Sequence, residues 1–371
     1  MIYLDNAATT FPKPRSVTMA FNNAIRLYGG NPGRSSHYLS RQASRMVFET
    51  REEVASLFEG QPENVVFTLN ATYALNIAIN ALRKKGGLVL MSNFEHNAVL
   101  RPVAYGGEYE LFDASGTDDE VITAFTSALS FKPSLVVCNH ASNLCGKVLP
   151  VERIGKLCHE NGIPFIIDAS QSAGRRSLSL HDTLADAICA PGHKGLYGTQ
   201  GSGFVIFADK YRDSASMLFP FVHGGNGVNS LEAFMPDFLP ERFEGGTLPT
   251  PAIAALCAGI KEIKRITIPN IEYLENSLGR RLTEGLSVIK GITVYGNYGG
   301  GTVLFNVDGV SSESLAHQLD ENGICVRAGY HCCPLGHSTL KTPRGGAVRA
   351  SVSMYNTKYD IDRLLSALNK K

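Results

Sequence analysis

Short apolar runs punctuate this chain at regular intervals between about residues 64 and 207. They are Val65–Thr68, Leu88–Met91, Tyr109–Phe112, Leu135–Cys138, Phe165–Ile167, Ala187–Cys189 and Gly203–Phe207. Each is four to five residues long or less and rich in β-branched and aromatic side chains, which predicts strands. Longer segments of helical period separate them, and that alternation predicts an α/β fold with a mostly parallel sheet covered by helices on both faces. The last run follows the glycine-rich turn Tyr197–Gly203, so it is expected to pair antiparallel with its predecessor. Ligands of such sheets bind beyond the carboxyl ends of the strands.

Phe219 to Pro251 breaks the alternation, with Gly, Pro and aromatic residues in no clear period. It reads as a long functional loop crossing to a second unit. From Pro251 to about Lys264 the apolar positions Ile253, Leu256, Cys257, Ile260 and Ile263 resume a helical spacing. Thr293–Tyr295, Thr302–Asn306, a helix from Glu313, and Ala347–Ser351 then predict a smaller α/β unit, closed by an amphipathic helix over Asp360–Leu368. The expected division is a large domain over 15–250 and a small C-terminal domain over 251–371, with 1–14 as an N-terminal segment near the active site. A length of 371 residues exceeds what one hydrophobic core usually serves, in keeping with two units.

Composition narrows the class of protein. Hydrophobic residues make up 44% and charged residues 19%, ordinary for a soluble enzyme, and the formal net charge of +1 gives no case for nucleic acid or an anionic membrane as partner. No apolar run reaches the ~18 residues of a membrane-crossing helix. The opening Met1–Asn6 lacks the basic and apolar regions of a signal peptide, so the eight cysteines are expected to be reduced thiols in a cytoplasmic protein.

The candidate chemistry gathers at the strand ends. Asp168 closes the run Pro164–Ile167, and Lys194 follows Ala187–Ala190 after Gly192-His193, 26 residues on. An acid and a lysine at successive strand ends can grip pyridoxal 5'-phosphate (PLP). The carboxylate keeps the pyridine nitrogen protonated and the amine condenses with the aldehyde. A lysine is ordinarily a solvated surface charge, but one behind an apolar strand is desolvated, which lowers its pKa and favours the nucleophilic amine. Ala71 and Thr72, opening the helix after Val65–Thr68, offer backbone N–H groups and a hydroxyl to a phosphate. A threonine there is more often only a cap. His96, past the second run, can stack on a cofactor ring and shuttle protons. Asn143 can bond a substrate carboxylate or the ring oxygen, and Gln171 the ring oxygen; His96 and Asn143 have plain alternatives as a loop histidine and a turn residue.

A second cluster is Arg327-Ala-Gly-Tyr-His331-Cys332-Cys333-Pro334. Cys332 can be a nucleophile activated by His331 or Arg327. His331, Cys332, Cys333 and His337 can be zinc ligands, although the spacing matches no standard pattern and no metal is expected. The cysteines can also simply be buried. Gly, His and Pro neighbours indicate an exposed loop, which favours the nucleophile. Arg349, inside the apolar strand Ala347–Ser351, needs a partner, either a substrate carboxylate or a structural acid.

Together these segments resemble the cysteine desulfurase and selenocysteine lyase branch of the class V aminotransferase family, fold-type I PLP enzymes, and specifically its Suf-type group. The likeness runs nearly end to end. It rests on Tyr3–Thr10, Gly30-Asn-Pro-Gly-Arg34-Ser-Ser-His37, Glu95-His96-Asn97, Asp168…Gln171, His193-Lys194, Phe243-Glu-Gly-Gly-Thr247, Arg327…Cys332 and Arg349…Tyr355-Asn-Thr357. The resemblance implies that Lys194 bonds PLP, Asp168 pairs with the ring nitrogen, Gln171 meets the ring oxygen and His96 stacks on the ring. Ala71, Thr72 and His193 would hold the phosphate. Thr247 would reach the phosphate of a neighbouring subunit, implying a homodimer. Asn143, Arg327 and Arg349 would hold substrate, with Asn6 and Ala7 lining the same region. Cys332 would take sulfur from L-cysteine as a persulfide, leaving L-alanine, before passing it to a sulfur-acceptor protein. Selenocysteine lyase, C–S β-lyase and aminotransferase reactions are the alternatives within the family. A non-catalytic binding role, and a dehydrogenase (for which no Gly-x-Gly-x-x-Gly opens a helix), lie outside it. Three positions depart from the pattern. Pro191 replaces a phosphate-binding Ser or Thr, Cys333 stands where Ala is common, and Tyr330 stands where Suf-type enzymes often carry His.

Overall fold

The computed structural model describes residues 1–33, 37–212, 214–296 and 298–369, so Arg34 and its two neighbours in the Gly30–His37 segment lie outside it. The seven expected runs form one sheet: β2 (Val65–Thr68), β3 (Val89–Ser92), β4 (Tyr109–Phe112), β5 (Leu135–Asn139), β6 (Phe165–Asp168), β7 (Ala187–Pro191) and β8 (Gly203–Phe207), in the order β2-β8-β7-β6-β5-β3-β4. Only β8 runs against its neighbours, the antiparallel pairing that the glycine-rich turn predicts. The inner strands are buried at every position, because helices cover both faces of a parallel sheet and leave no polar side to alternate with. β4 lies at the edge and is exposed at two of its four residues.

Helices α1 (Arg15–Leu27) and α2 (Tyr38–Phe58) precede the sheet, and α3 (Ala71–Leu82), α4 (Asn97–Gly106), α5 (Asp118–Ala128), α6 (Val151–Glu160) and α7 (Leu180–Thr183) connect its strands. The starts of α3 and α4 shape the site. Asn70 caps α3 by accepting from Tyr73 N–H, and His96 caps α4 through Nδ1, which accepts from Ala98 N–H at 3.0 Å. In both cases the capping side chain satisfies one orphan donor of the first turn and leaves the remaining N–H groups there for other partners.

Residues 218–249 contain no helix or strand. Their anchor is a buried ion pair: Arg51 on α2 meets Glu244 at 2.6 Å, and Glu244 also accepts from Phe67 N–H. Next comes α8 (Thr250–Ile266), which was expected to open the smaller unit. Its apolar face, Ile253, Leu256, Ile260 and Ile263, packs into the core beneath the large sheet. At Gly259 a Cβ would collide with the carbonyl of Leu196, so α8 is drawn close to the chain just beyond Lys194.

A separate apolar cluster begins with α9 (Ile268–Ser287). It unites β9 (Ile292–Tyr295), β10 (Thr302–Val307) and β12 (Val348–Ser351), an antiparallel sheet, with α10 (Ser312–Glu321) and α12 (Lys358–Leu368). The short α11 (Pro334–Thr339) follows the Cys332 loop. α12 begins two residues ahead of its expected start because Thr357 and Asp360 form a reciprocal capping box. The first residues belong here as well: β1 (Ile2–Tyr3) pairs in parallel with β11 (Ile324–Cys325), and Leu4 is fully buried in this cluster.

Candidate active site

One pocket of about 500 Å³ opens beyond the carboxyl ends of the central strands. Eight residues singled out in the sequence line it: Ala71, Thr72, His96, Asn143, Asp168, Gln171, His193 and Lys194. Asn70, Asn139 and Ser170 add further polar groups to the wall, and Ala98, Ala141 and Pro191 complete it.

At one end the first turn of α3 presents Ala71 and Thr72, with His193 nearby, an arrangement of N–H groups and the positive end of a helix dipole suited to an anion. Pro191 adds no hydroxyl. In the middle, Asp168 is buried and uses Oδ1 to accept from Ser170 N–H at 2.8 Å. Lys194 is shifted from its ordinary 10.5 down to about 8. Burial is the main cause, the charges of Arg349, Arg175 and Arg327 add to it, and Asp168 opposes it. His96 falls to about 4, chiefly through burial and then through Lys194, so its imidazole is neutral near pH 7. Two side-chain oxygens on the wall, Asn139 Oδ1 and Asn143 Oδ1, are buried without a hydrogen-bond partner. Unpaired buried acceptors are costly, which marks the pocket as built to be filled.

Beneath it lies a carboxylic acid whose own role the sequence does not disclose. Glu95 is fully buried, and its Oε1 accepts from Ser92 Oγ at 2.5 Å and Asn139 N–H at 2.8 Å, tying the end of β3 to that of β5. Burial pushes its pKa up to about 8, against those two hydrogen bonds and with help from the charge of Asp168. Its place directly before His96 was the only available signal.

Cys332 sits on an exposed turn at one end of an adjoining groove of about 700 Å³, which shares Thr72, His96 and Ala98 with the main pocket. Both His331 (φ 50°) and Cys332 (φ 55°) adopt left-handed backbone, uncommon for residues with a Cβ. Asn143 Nδ2 holds the turn through the carbonyl of His331 at 2.8 Å. The His331 ring stacks on His337 and its Nε2 lies 3.0 Å from the carbonyl of Ala347, and burial keeps it neutral. Cys333 turns the other way, fully buried with Sγ 3.4 Å from the carbonyl of Phe94, and burial drives its thiol pKa far up. Among the described residues no cluster of His, Cys, Asp or Glu could hold a metal.

The remaining expected residues lie outside the pocket wall. Arg349 is buried and partly committed: Nη2 bonds Asp5 at 2.8 Å and Nη1 the carbonyl of Asn143 at 2.9 Å. Its Nε has no partner, so the guanidinium keeps donors to spend. Arg327 pairs its backbone with that of Arg349 and has an exposed side chain. The Asn6 amide is consumed by Ser351, Asn356 and Phe11, whereas Ala7 accepts from Gln171 Nε2 at 2.9 Å. Thr247 lines a different groove, with Asn31, Arg51 and Gly225.

This sheet order, with a lysine and an aspartate at adjacent strand ends, is the fold-type I arrangement. The chain belongs to the class V aminotransferase family, whose model matches residues 2–364. Its relatives there include proteins named as cysteine desulfurases or probable cysteine desulfurases. A probable cysteine desulfurase of Methanothermobacter thermautotrophicus is 33% identical over all of this chain and 94% of its own length. A cysteine desulfurase of Haloferax volcanii is 30% identical over all of this chain and 89% of its own. Among solved structures, the apo cysteine desulfurase from Thermococcus onnurineus NA1 superposes with a TM-score of 0.89, at 31% identity over all of this chain and 94% of that one.

Proposed function

We propose that this protein is a PLP-dependent cysteine desulfurase. The observation that carries the reading is that one pocket joins Lys194, Asp168 and His96 to the start of α3 and shares Thr72, His96 and Ala98 with the groove that Cys332 lines. The residues fit the cofactor: an anion-binding helix end with His193, a buried carboxylate, a desolvated amine and two unpaired acceptors. Lys194 would bond the aldehyde carbon, Asp168 the ring nitrogen, and Ala71, Thr72 and His193 the phosphate, with His96 against the ring and Gln171 beside its oxygen. When bound, PLP supplies an electron sink for charge developing at the substrate Cα.

The protein's own groups do the rest. The Lys194 amine, neutral in part at pH 7, takes the Cα proton. Arg349 orients the substrate carboxylate with its uncommitted N–H groups, and Arg327 adds positive charge to that side. The Cys332 thiolate attacks the sulfur of L-cysteine. An S–S bond forms as the Cβ–S bond breaks, the released electron pair and a proton go to Cβ, the Lys194 ammonium returns a proton to Cα, and L-alanine leaves a persulfide on Cys332. An exposed turn suits delivery of that sulfur to an acceptor protein.

A homodimer is supported by Thr247, which lies outside the Lys194 pocket of its own subunit, and by exposed apolar side chains on and beside the neighbouring loop: Met217, Phe219, Leu231 and Phe234. Among the described residues no helix is long and apolar enough to cross a membrane. The reading is tested by supplying L-cysteine to PLP-loaded protein and mapping the product sulfur by peptide mass spectrometry. One added sulfur on the Cys332 peptide is expected, and no persulfide anywhere would refute it.

A further inference from the structure

The ammonium of Lys13 reaches the back of the Lys194 strand end, where it meets the carbonyl of His193. Lys13 is half-buried and donates to the carbonyl of His193 at 2.7 Å and to Thr10 Oγ1 at 2.8 Å. Three further donors crowd the same peptide. Thr10 N–H lies 3.2 Å from the His193 carbonyl, Thr10 Oγ1 lies 3.0 Å from the Lys194 carbonyl and 3.2 Å from that of His193, and Thr9 Oγ1 lies 3.1 Å from both the His193 carbonyl and His193 Nδ1.

Counting protons resolves the cluster. A carbonyl oxygen has two lone pairs, and Lys13 with Thr10 N–H fills both at His193. Thr10 Oγ1 accepts from Lys13, and with both His193 lone pairs filled its single proton goes to the nearer Lys194 carbonyl. The Thr9 hydroxyl is then released from the crowded carbonyl, and its remaining contact within the protein is His193 Nδ1. A histidine that accepts at Nδ1 carries its proton on Nε2, and His193 lines the pocket at the anion end.

We propose that Lys13 is a positioning residue that, by occupying the His193 carbonyl, turns the Thr9 hydroxyl onto Nδ1 and so fixes His193 as the Nε2–H tautomer, a hydrogen-bond donor to a phosphate monoester. Without Lys13 the Thr9 proton can return to the carbonyl, Nδ1 becomes the protonated nitrogen, and the pocket faces a lone pair that repels phosphate. The lowered pKa of His193, about 4, agrees, since burial and the charges of Lys194 and Lys13 keep the ring neutral and make tautomer choice decisive. This inference rests on the reading that the pocket takes a phosphorylated cofactor. It also accounts for the missing hydroxyl at Pro191, because a dedicated His193 donor serves the same end of the pocket.

The test uses full-length protein labelled with ¹⁵N-histidine, with His193 assigned through His193→Gln. In cofactor-free wild type, the ¹⁵N shifts should report Nε2–H at His193, and inorganic phosphate should perturb that signal. Lys13→Met should move the ring toward the Nδ1–H form and weaken phosphate binding about tenfold, the loss of one charge-assisted hydrogen bond. Lys13→Arg should restore the tautomer, and Thr9→Val should lose it with Lys13 intact. An unchanged His193 tautomer in Lys13→Met, or one moved equally in Lys13→Arg, overturns the proposal. These readouts stand even if the protein turns over no cysteine, so failure of the functional reading and failure of this one are separable.

Discussion

The backbone carbonyl of Cys332 accepts a 2.8 Å hydrogen bond from the N–H of Asn97, the first residue of α4. The same turn of helix carries His96 as its cap. The exposed thiol and the ring at the pocket wall are therefore mounted on one rigid helix end. The left-handed backbone at His331 and Cys332 is held in place partly by that bond and partly by Asn143.

Asn97→Pro isolates this link. Proline is favoured at the first helical position, and His96 (φ −71°, ψ 153°) already has the extended backbone that a residue before proline needs. The substitution removes the N–H that meets Cys332, together with the Asn97 side chain on the wall of the groove, so Asn97→Ala, which keeps the N–H, is its control. Stability should change by no more than about 1 kcal/mol, while the rate of persulfide formation in single-turnover experiments falls about tenfold. A rate equal to wild type would show that the anchoring is idle.

Lys194 gives a pH prediction. With its pKa near 8, roughly one amine in ten is neutral at pH 7, against about one in three thousand at the ordinary value. The rate at which cofactor-free protein takes up PLP, followed by its visible absorbance, should rise through a midpoint near 8 and level off above it. A rise continuing past pH 10 would mean that the lysine is not desolvated.

Glu95 predicts a slope in stability. Its folded pKa, about 8, stands above the ordinary 4.5, so the folded protein keeps a proton that the unfolded chain has released. Stability from this group is full below about pH 4.5 and is lost as pH rises toward 8. Glu95→Gln copies the neutral acid and removes the dependence. Urea unfolding should find the variant level with wild type at pH 4.5 and about 2–4 kcal/mol more stable at pH 8.5. Parallel curves would contradict the assignment.

Cys333 should act as packing. Its sulfur contacts Gly336, whose added Cβ would press on it, and its thiol is buried. Cys333→Ser places a hydroxyl there and should cost about 1–3 kcal/mol, with sulfur loading of Cys332 unchanged by mass spectrometry. Loss of loading at full stability would make Cys333 a participant.

Much of this was legible in the sequence because parallel strands buried on both faces read as short apolar runs, and the residue that ends each run points into the ligand crevice. Asp168, Gln171, His193 and Lys194 were found in that way. What was not legible depends on pairs far apart in the chain. Arg349 meets Asp5 across 344 residues, which pattern along a strand cannot show. Glu95 matters because the ends of β3 and β5 adjoin, and Lys13 because the N-terminal segment folds over His193. β1 and β11 are two residues each, too short for any periodicity to register.

The central claim, that Cys332 draws sulfur from L-cysteine activated in the Lys194 pocket, is tested most directly by quantifying alanine, pyruvate and sulfide together. PLP-loaded wild type and Cys332→Ala would be compared in the presence of a thiol reductant. The account predicts alanine equal to sulfide in wild type, with both abolished in the variant while its PLP absorbance persists. Pyruvate and ammonia in place of alanine, or alanine and sulfide formed by Cys332→Ala at the wild-type rate, would contradict it.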